Sequence, residues 1–265
     1  MYFLRYCHKK KNYNIFDITY RKKIRDQSII CNVENIIDLK KNLNKIKPDI
    51  IVNCIGVLIN ESNIDVSRAI YINSFIPQWL KNHGDINKIK IIHISTDCVF
   101  NGGKGDYDEN SFPDAEDIYG KTKALGEFQS KNHLCIRTSI IGPELKSSGQ
   151  GLMNWIFLER GIINGFKNVY WSGITTLELS KAIDFSIQNK ISGLWNLGSK
   201  EKISKYDLLK LIIKIFKISK IILNEDFKKQ SDKSLKSIRK INYNVPSYPS
   251  MIKELKIYLL SNIKD

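Results

Sequence analysis

The stretch Tyr119-Gly120-Lys121-Thr122-Lys123 places a phenol and an ammonium four residues apart. On a helix that spacing puts both side chains on one face, with Cβ atoms about 5–6 Å apart. In this lysine-rich chain of twelve tyrosines the spacing arises three times, at Tyr6/Lys10, Tyr119/Lys123 and Tyr206/Lys210, so the surroundings must choose among them. Tyr6 has no strand before it, and Tyr206 follows the capping stretch "GSKEKIS" on an amphipathic helix; both pairs read as structural. Tyr119 instead opens a helical stretch shortly after the apolar run "KIIHIS", which ends in Ser95-Thr96-Asp97. Asp114, Glu116 and Asp117 cluster at the first turn of that helix, as suits its dipole.

A hydroxyl, a phenol and an ammonium together suit hydride transfer to a carbonyl, because the developing alkoxide needs a proton and hydrogen-bond donors. A free tyrosine, with a pKa of about 10, holds its proton too firmly to cycle near neutrality. A neighbouring ammonium favours the phenolate and lowers that value. In this reading Tyr119 is the proton donor, Lys123 lowers the phenol's pKa and holds the nicotinamide ribose, and Thr96 hydrogen-bonds the carbonyl oxygen.

The elements that must position these groups alternate along the chain. Strand-like runs cover Tyr13–Ile18, Ser28–Cys31, Asp49–Ile55, Lys90–Ser95 and Leu134–Thr138, and helical patterns cover Glu34–Lys47, Ser67–Asn82 and Ala115–Ser130. "IIVNCI" and "KIIHIS" are near-continuous rather than alternating, as in parallel strands covered on both faces. Strand–helix alternation predicts an α/β domain with a parallel sheet. Ligands of such sheets bind outside the carboxyl ends of the strands, which gives weight to Asn53 as well as to Ser95-Thr96-Asp97. Past about residue 145, helices at Leu152–Arg160, Leu177–Gln188, Lys205–Phe216 and Pro249–Leu260 dominate, with short strands at Asn168–Trp171 and Leu194–Leu197. The expected organisation is a domain over residues 1–145 and a smaller, mainly helical, partly interleaved lobe over 146–265.

Composition narrows the function class. The 265 residues are 42% hydrophobic and 26% charged, as in a soluble globular protein. No apolar run approaches the ~18 residues of a membrane span. The start "MYFLRYCHKKK" is apolar then basic, the reverse of a secretory signal, so a cytoplasmic protein is expected. Five scattered cysteines without a CxxC pair argue against a metal site and against a disulfide scaffold, and Cys54 and Cys135 read as small core residues. The net charge of +15 comes from lysines spread among isoleucines and asparagines. That is a compositional bias rather than a nucleic-acid patch, although it favours an anionic substrate.

Taken together, Asn53–Gly56, Asn73, "HISTDCVF", "DIYGKTKALGE" and "RTSIIGPE" resemble the dTDP-4-dehydrorhamnose reductase group of the extended short-chain dehydrogenase/reductase superfamily. The resemblance runs from about Tyr13 over nearly all of the chain. It implies a Rossmann-type doubly wound parallel sheet, an NADPH or NADH cofactor, and reduction at C4 of a dTDP- or UDP-linked 4-keto-6-deoxy sugar for surface polysaccharide synthesis. It implies Thr96, Tyr119 and Lys123 as the catalytic triad. Asp17 falls where relatives contact the cofactor ribose, and Asn32 and Val33 fall near the adenine, although relatives more often carry Asp in place of Asn32. Asn53, Gly56, Val57 and Leu58 belong to the loop beside the cofactor, and Ile94 to the strand under the nicotinamide. Asp97 joins Thr96 at the substrate. Ile140 replaces a sugar-stacking tryptophan, which leaves the sugar undecided. A non-catalytic regulatory subunit and a sugar-nucleotide epimerase share this scaffold, and a homodimer is compatible with it.

Some residues keep two readings. Asn53 either serves the cofactor or caps a strand end, and Asp17 either meets a ribose or shapes a turn. Trp155 and Trp171 either pack or touch substrate, and Arg137 either pairs a buried carboxylate or meets a phosphate. His93, mid-strand, reads as a core histidine. The first glycine is Gly56, so no glycine-rich turn precedes the second family strand, and "YFLRYC" resembles the end of the family's first helix. The expectation is a chain that starts after the family's first strand. That strand is central in the 3-2-1-4 order, so Tyr13–Ile18 and Asp49–Ile55 should each lack a ladder partner.

Overall fold

The computed structural model describes Tyr6, residues 13–144 and residues 151–261. Tyr6 is helical; Lys10 and the rest of the helix end expected at Tyr2–Cys7 lie outside the described residues. In chain order the elements are β1 (Ile18–Thr19), β2 (Ile29–Ile30), α1 (Ile36–Ile46), β3 (Ile50–Asn53), α2 (Ile59–Ile64), α3 (Val66–Ile70), α4 (Ile76–Asn87), β4 (Lys90–Ile94), α5 (Ile118–Leu125) and β5 (Leu134–Arg137). There follow β6 (Ile140–Ile141), α6 (Leu152–Leu158), β7 (Gly161–Trp171), β8 (Ile174–Thr175), α7 (Thr176–Gln188), β9 (Gly193–Asn196), β10 (Ile203–Ser204), α8 (Lys205–Phe216), β11 (Ile221–Asp232) and α9 (Tyr248–Ser261). Two compact units share them. The first takes Met1–Val99, Pro113–Arg137 and Ile183–Trp195, and the second takes Phe100–Phe112, Thr138–Ala182 and Asn196–Asp265.

In the first unit a four-stranded sheet has the order β3-β4-β5-β9. β3 and β4 run parallel with Ile50 opposite Lys90 and Asn53 opposite His93, and β4 and β5 run parallel with Ile92 opposite Leu134. β1 and β2 pair in a separate two-stranded parallel sheet. Among the described residues no ladder joins β1 to β3. As a strand, the run Tyr13–Ile18 shrinks to Ile18–Thr19. Its Ile15 carbonyl accepts from Arg25 Nη2 at 3.1 Å instead of from a neighbouring strand.

The helices start and stop where local chemistry dictates. The Asn35 side chain accepts from Asp38 N–H to open α1, and Lys47 in the left-handed region, followed by Pro48, closes it. Leu39 and Leu43, one turn apart, carry its buried face into a core with Val33, Ile76, Leu80, Ile91, Phe128 and Cys135. The helix expected at Ser67–Asn82 runs on to Asn87 and contains a π-helical turn, Tyr71–Phe75, between α3 and α4. Ile76 N–H reaches back to the Tyr71 carbonyl there. Pro77 has no N–H to offer Asn73, four residues before it, so regular α-helical pairing cannot continue through this turn.

The second unit holds a three-stranded sheet, β10-β7-β11, that the sequence reading reduced to Asn168–Trp171. β11 runs parallel to β7 from Ile221 opposite Gly161 to Asp232 opposite Tyr170. Its sequence, "IILNEDFKKQSD", is charged and largely exposed, so it lacks the apolar run of a covered parallel strand. The helix at Lys205–Phe216 forms as expected, capped by Ser204. Among the described residues no helix is long and apolar enough to cross a membrane.

Gly126, directly after α5, lies against the π-turn. A Cβ there would run into the Asn73 carbonyl oxygen, with Pro77 Cγ also within 3.3 Å. Gly126→Ala should therefore destabilise the protein by about 1–3 kcal/mol through overpacking. Thermal unfolding followed by circular dichroism should show it, at about 2–4 °C per kcal/mol for a domain of this size. An unchanged midpoint would mean that α5 does not seat on the π-turn.

Candidate active site

β4 delivers Ser95, Thr96 and Asp97 at its carboxyl end, where a 3-10 turn over Asp97–Val99 takes over. α5 brings Tyr119 and Lys123 to the same place. It begins at Ile118 because the Asp117 side chain accepts from Gly120 N–H at 2.8 Å, and it is shorter than the expected Ala115–Ser130. Gly120 has a steric role: a Cβ at this position would run into the Cys98 carbonyl oxygen and Ala115 Cβ. The glycine of "YGKTK" thus lets the helix press onto the turn that carries Thr96.

The Tyr119 phenol lies on the side of α5 that meets Thr96, whose hydroxyl acts to lower its pKa. Thr96 Oγ1 donates to Asp97 Oδ1 at 3.2 Å and accepts from Cys98 N–H at 3.1 Å. Lys123 is buried, 4% exposed, and its ammonium donates to the Ile94 carbonyl oxygen at 2.8 Å. One expectation needs correction here. Burial pushes the Tyr119 phenol above its ordinary pKa, and Cys98, Asp97 and Asp117 push the same way; only the Thr96 hydroxyl opposes them. Lys123 is not among the groups that shift it, and its ammonium donates to the Ile94 carbonyl. Burial in turn holds Lys123 below its ordinary value, against the Cys135, Glu127 and Cys54 side chains.

The loop after β3 is fixed from behind. Asn53 Oδ1 accepts from Ile55 N–H at 3.1 Å, and its Nδ2 lies 3.1 Å from His93 Nδ1. Asn73 in the π-turn accepts from Val57 N–H at 2.8 Å, and its Nδ2 donates to the Val57 carbonyl at 3.0 Å and to Thr122 Oγ1 at 3.1 Å. Ser74 Oγ adds a bond to the Thr122 carbonyl. Asn73 thereby ties the Gly56–Leu58 loop to α5. Sequence reading noted it in a motif without giving it a role; the signal was an amide inside the apolar run "AIYINSFIPQWL", where burial demands partners. Gly56 and Leu58 are exposed while Val57 is buried. Cys54, expected in the core, is exposed because β3 ends at Asn53; Cys135 is buried as expected.

The other candidates lie on other elements. Asp17 is buried and paired with Arg25 and Ser28 within the β1–β2 segment. Burial raises its pKa, but the Ser28 and Arg25 contacts outweigh burial and hold it below the ordinary carboxylate range. Asn32 is exposed and its Oδ1 accepts from Glu34 N–H, while Val33 packs in the core. Ile140 belongs to the second unit, on β6 paired with β8, and is 50% exposed. There too Trp171 is buried, with Nε1 donating to Ser139 Oγ and its ring beside Tyr248, so it packs. Trp155 lies on α6. Lys210 lies over the Tyr206 ring at 5.8 Å on α8. Arg137 pairs with buried Glu127. Among the described residues no cluster of three or more His, Cys, Asp or Glu could hold a metal ion.

Residues 9–248 match the family described as the RmlD substrate binding domain. The chain belongs to that family. A spore coat polysaccharide biosynthesis protein of Bacillus subtilis is 30% identical over 116 residues, covering 42% of this chain and 41% of that protein. A dTDP-4-dehydrorhamnose reductase of Aggregatibacter actinomycetemcomitans is 33% identical over 87 residues, 32% of this chain and 30% of that protein. The chain thus matches less than half the length of these curated relatives. Among solved structures, a hypothetical dTDP-4-dehydrorhamnose reductase from Sulfolobus tokodaii superposes with a TM-score of 0.77 at 23% identity, covering 93% of each chain. A Bacillus anthracis dTDP-4-dehydrorhamnose reductase in complex with NADP gives 0.74 at 20% identity, over 86% of this chain and 87% of that one. At these identities the likeness establishes the Rossmann-type α/β fold of the RmlD family members.

His93 offers a test of the site's electrostatics. It is fully buried, and burial, then the Lys123 charge, hold its pKa well below 6.5. The folded state therefore resists protonating it, while the unfolded chain takes up a proton as pH falls through about 6.5. Stability from this group is present above that pH and is lost as pH falls toward the folded pKa, by up to about 1.4 kcal/mol per pH unit. His83, also lowered by burial, adds in the same window. Urea unfolding between pH 7.5 and 5 (set roughly one unit either side of the free-histidine value) should show this slope, and His93→Gln should remove part of it. An equal slope in both proteins would contradict the buried neutral state of His93.

Proposed function

We propose that the protein reduces the C4 carbonyl of a dTDP- or UDP-linked 4-keto-6-deoxy sugar with NADPH or NADH. The observation that carries this is buried Lys123, whose ammonium donates to the Ile94 carbonyl at the carboxyl end of a parallel strand, with Tyr119 one helical turn before it and Thr96 two residues after Ile94. Support comes from the RmlD family match and from a relative named as a dTDP-4-dehydrorhamnose reductase.

The donor set fits a nicotinamide nucleotide. Tyr119 and Lys123 present a hydroxyl and an ammonium suited to ribose hydroxyls. Ile94 lies under them, and the Val57 backbone is held in place by Asn73 beside side-chain-free Gly56 and exposed Leu58. Asn53 holds the base of that loop. Asp17, Asn32 and Val33 are proposed for the adenosine end, where a ribose would compete with Arg25 for Asp17. The cofactor, when bound, supplies the hydride. Tyr119 then gives its proton to the carbonyl oxygen as negative charge develops there. A phenol held above its ordinary pKa is fully protonated near neutrality, so the donor is loaded at rest. Thr96 hydrogen-bonds the same oxygen, Asp97 orients the sugar hydroxyls, and Lys123 holds the nicotinamide ribose. Ile140, an aliphatic residue in the second unit, is proposed to contact the sugar.

The test is cofactor oxidation by the purified protein against a panel of 4-keto nucleotide sugars. Tyr119→Phe keeps the ring and removes the proton, and should lower kcat by ~10²-fold or more with KM little changed. A Phe variant with most of the wild-type turnover would rule out Tyr119 as the donor. Interconversion of sugar epimers without net cofactor oxidation would point to an epimerase instead.

A further inference from the structure

The strongest charge cluster that the proposed reaction leaves unused is the ion pair between Glu127 and Arg137. Glu127 follows α5 directly, and Arg137 ends β5. Their side chains are 7% and 3% exposed. Arg137 Nε donates to both carboxylate oxygens at 2.9 and 3.0 Å, and Nη2 donates to Oε2 at 2.7 Å. The carboxylate has a further partner. Ser95 Oγ donates to Oε1 at 2.6 Å. Ser95 is the residue before Thr96, and its N–H donates to the carbonyl of Ile136, the residue before Arg137. One carboxylate therefore grips the ends of two neighbouring strands from the foot of the helix that carries Tyr119 and Lys123.

The backbone around Glu127 is held as firmly. Gln78 Nε2 donates to the carbonyls of Leu125 and Glu127, and Glu127 N–H donates to the Ala124 carbonyl. Gly126 permits the close approach to Asn73 that turns the chain inward.

We propose that Glu127 is a positioning residue for the proposed reductase triad: through Ser95 and Arg137 it locks the strand end bearing Thr96 in register with the helix bearing Tyr119 and Lys123. The proposal rests on the triad reading and adds what keeps its parts in register. A buried ion pair alone is a weak source of stability, because desolvation offsets most of the attraction. A pair that also accepts from Ser95 has a second consequence that apolar packing cannot supply.

The second consequence is electrostatic. Lys123 shares its surroundings with Cys54 beyond β3, His93 on β4, Cys135 on β5 and Glu127 after its own helix. His93 is held neutral, and burial raises the Cys135 thiol so that it stays protonated near neutrality. Among these groups Glu127 is the one that carries negative charge there. It works against burial to keep the Lys123 ammonium protonated.

The experiment uses the full chain and three variants. Glu127→Gln removes the charge and keeps the shape. Ser95→Ala removes only the link to the strand end. Glu127→Leu with Arg137→Met replaces the pair by apolar groups, which can leave a protein as stable as before. Two readouts are taken: turnover, and the pH dependence of Lys123 acylation by a trace amine reagent, followed by peptide mass spectrometry. Ser95→Ala and the double variant should unfold near the wild-type temperature yet lose ~10–100-fold in kcat, the size expected for misplaced catalytic groups. Glu127→Gln should acylate Lys123 at lower pH than wild type, and the double variant, which removes one charge of each sign, should shift that profile less. Wild-type-like turnover in Ser95→Ala and the double variant, with an unmoved Lys123 profile, would overturn the proposal. If the wild type itself turns over no sugar, the reductase reading fails, and the Lys123 profile alone decides whether Glu127 acts on the lysine: a shifted profile supports it and an unmoved one overturns it.

Discussion

A buried ammonium has to be held by acceptors, and Lys123 imposes that requirement on the first unit. Moving such a charge out of water costs several kcal/mol unless close partners replace the lost hydration. The carbonyl of Ile94 supplies one partner because β4 stops there, and the helix that bears Lys123 must approach that strand end closely. Close approach needs glycine on both sides of the lysine. Gly120 admits the Cys98 carbonyl, and Gly126 admits the Asn73 carbonyl. The identity of these two residues follows from where the charge sits.

The same requirement reaches the loop after β3 through the π-turn. Pro77 interrupts the regular hydrogen bonding behind Asn73, and the turn directs that side chain to both Val57 and Thr122. A regular helix would present a different face at this position. A proline in α4 therefore has consequences two elements away, on the loop proposed to lie beside the cofactor and on the helix that bears Tyr119 and Lys123. Local backbone chemistry, packing and the proposed function are one chain of cause here.

Much of this was legible in the sequence, for identifiable reasons. β3, β4 and β5 carry dense apolar runs, and a covered parallel strand has little other way to be written. α8 was legible because Leu208, Leu209 and Ile212 repeat at helical spacing behind a serine cap. Tyr119, Lys123 and Thr96 stood out because their types and order fit one chemistry. β11 was not legible, since its pairing with β7 rests on backbone bonds that charged side chains do not announce. The short extent of β1 was not legible either, since Tyr13–Ile18 carries a longer apolar pattern than the two residues that pair. Cys54 looked like core from its neighbours, but β3 ends one residue earlier and leaves it exposed. The direction of the Tyr119 shift was misjudged for a related reason: spacing places Lys123 on the same helix face, while only tertiary packing commits its ammonium to Ile94.

Charge counting closes the argument about this centre. Lys123 and Arg137 bring two positive charges, Glu127 brings one negative, and His93 is held neutral. Buried Asp97, bonded to Thr96, brings a second negative charge, so positive and negative side chains balance in surroundings that weaken screening by water. With Asp97, Cys98 and Asp117 pressing that way, the Tyr119 phenol keeps its proton at rest. The groups around the proposed reacting atoms are held by bonds formed beforehand, Thr96 by the Cys98 N–H and Lys123 by the Ile94 carbonyl. Groups fixed in this way need no reorganisation as charge develops on a substrate oxygen, and that is the differential stabilisation the proposed reaction requires.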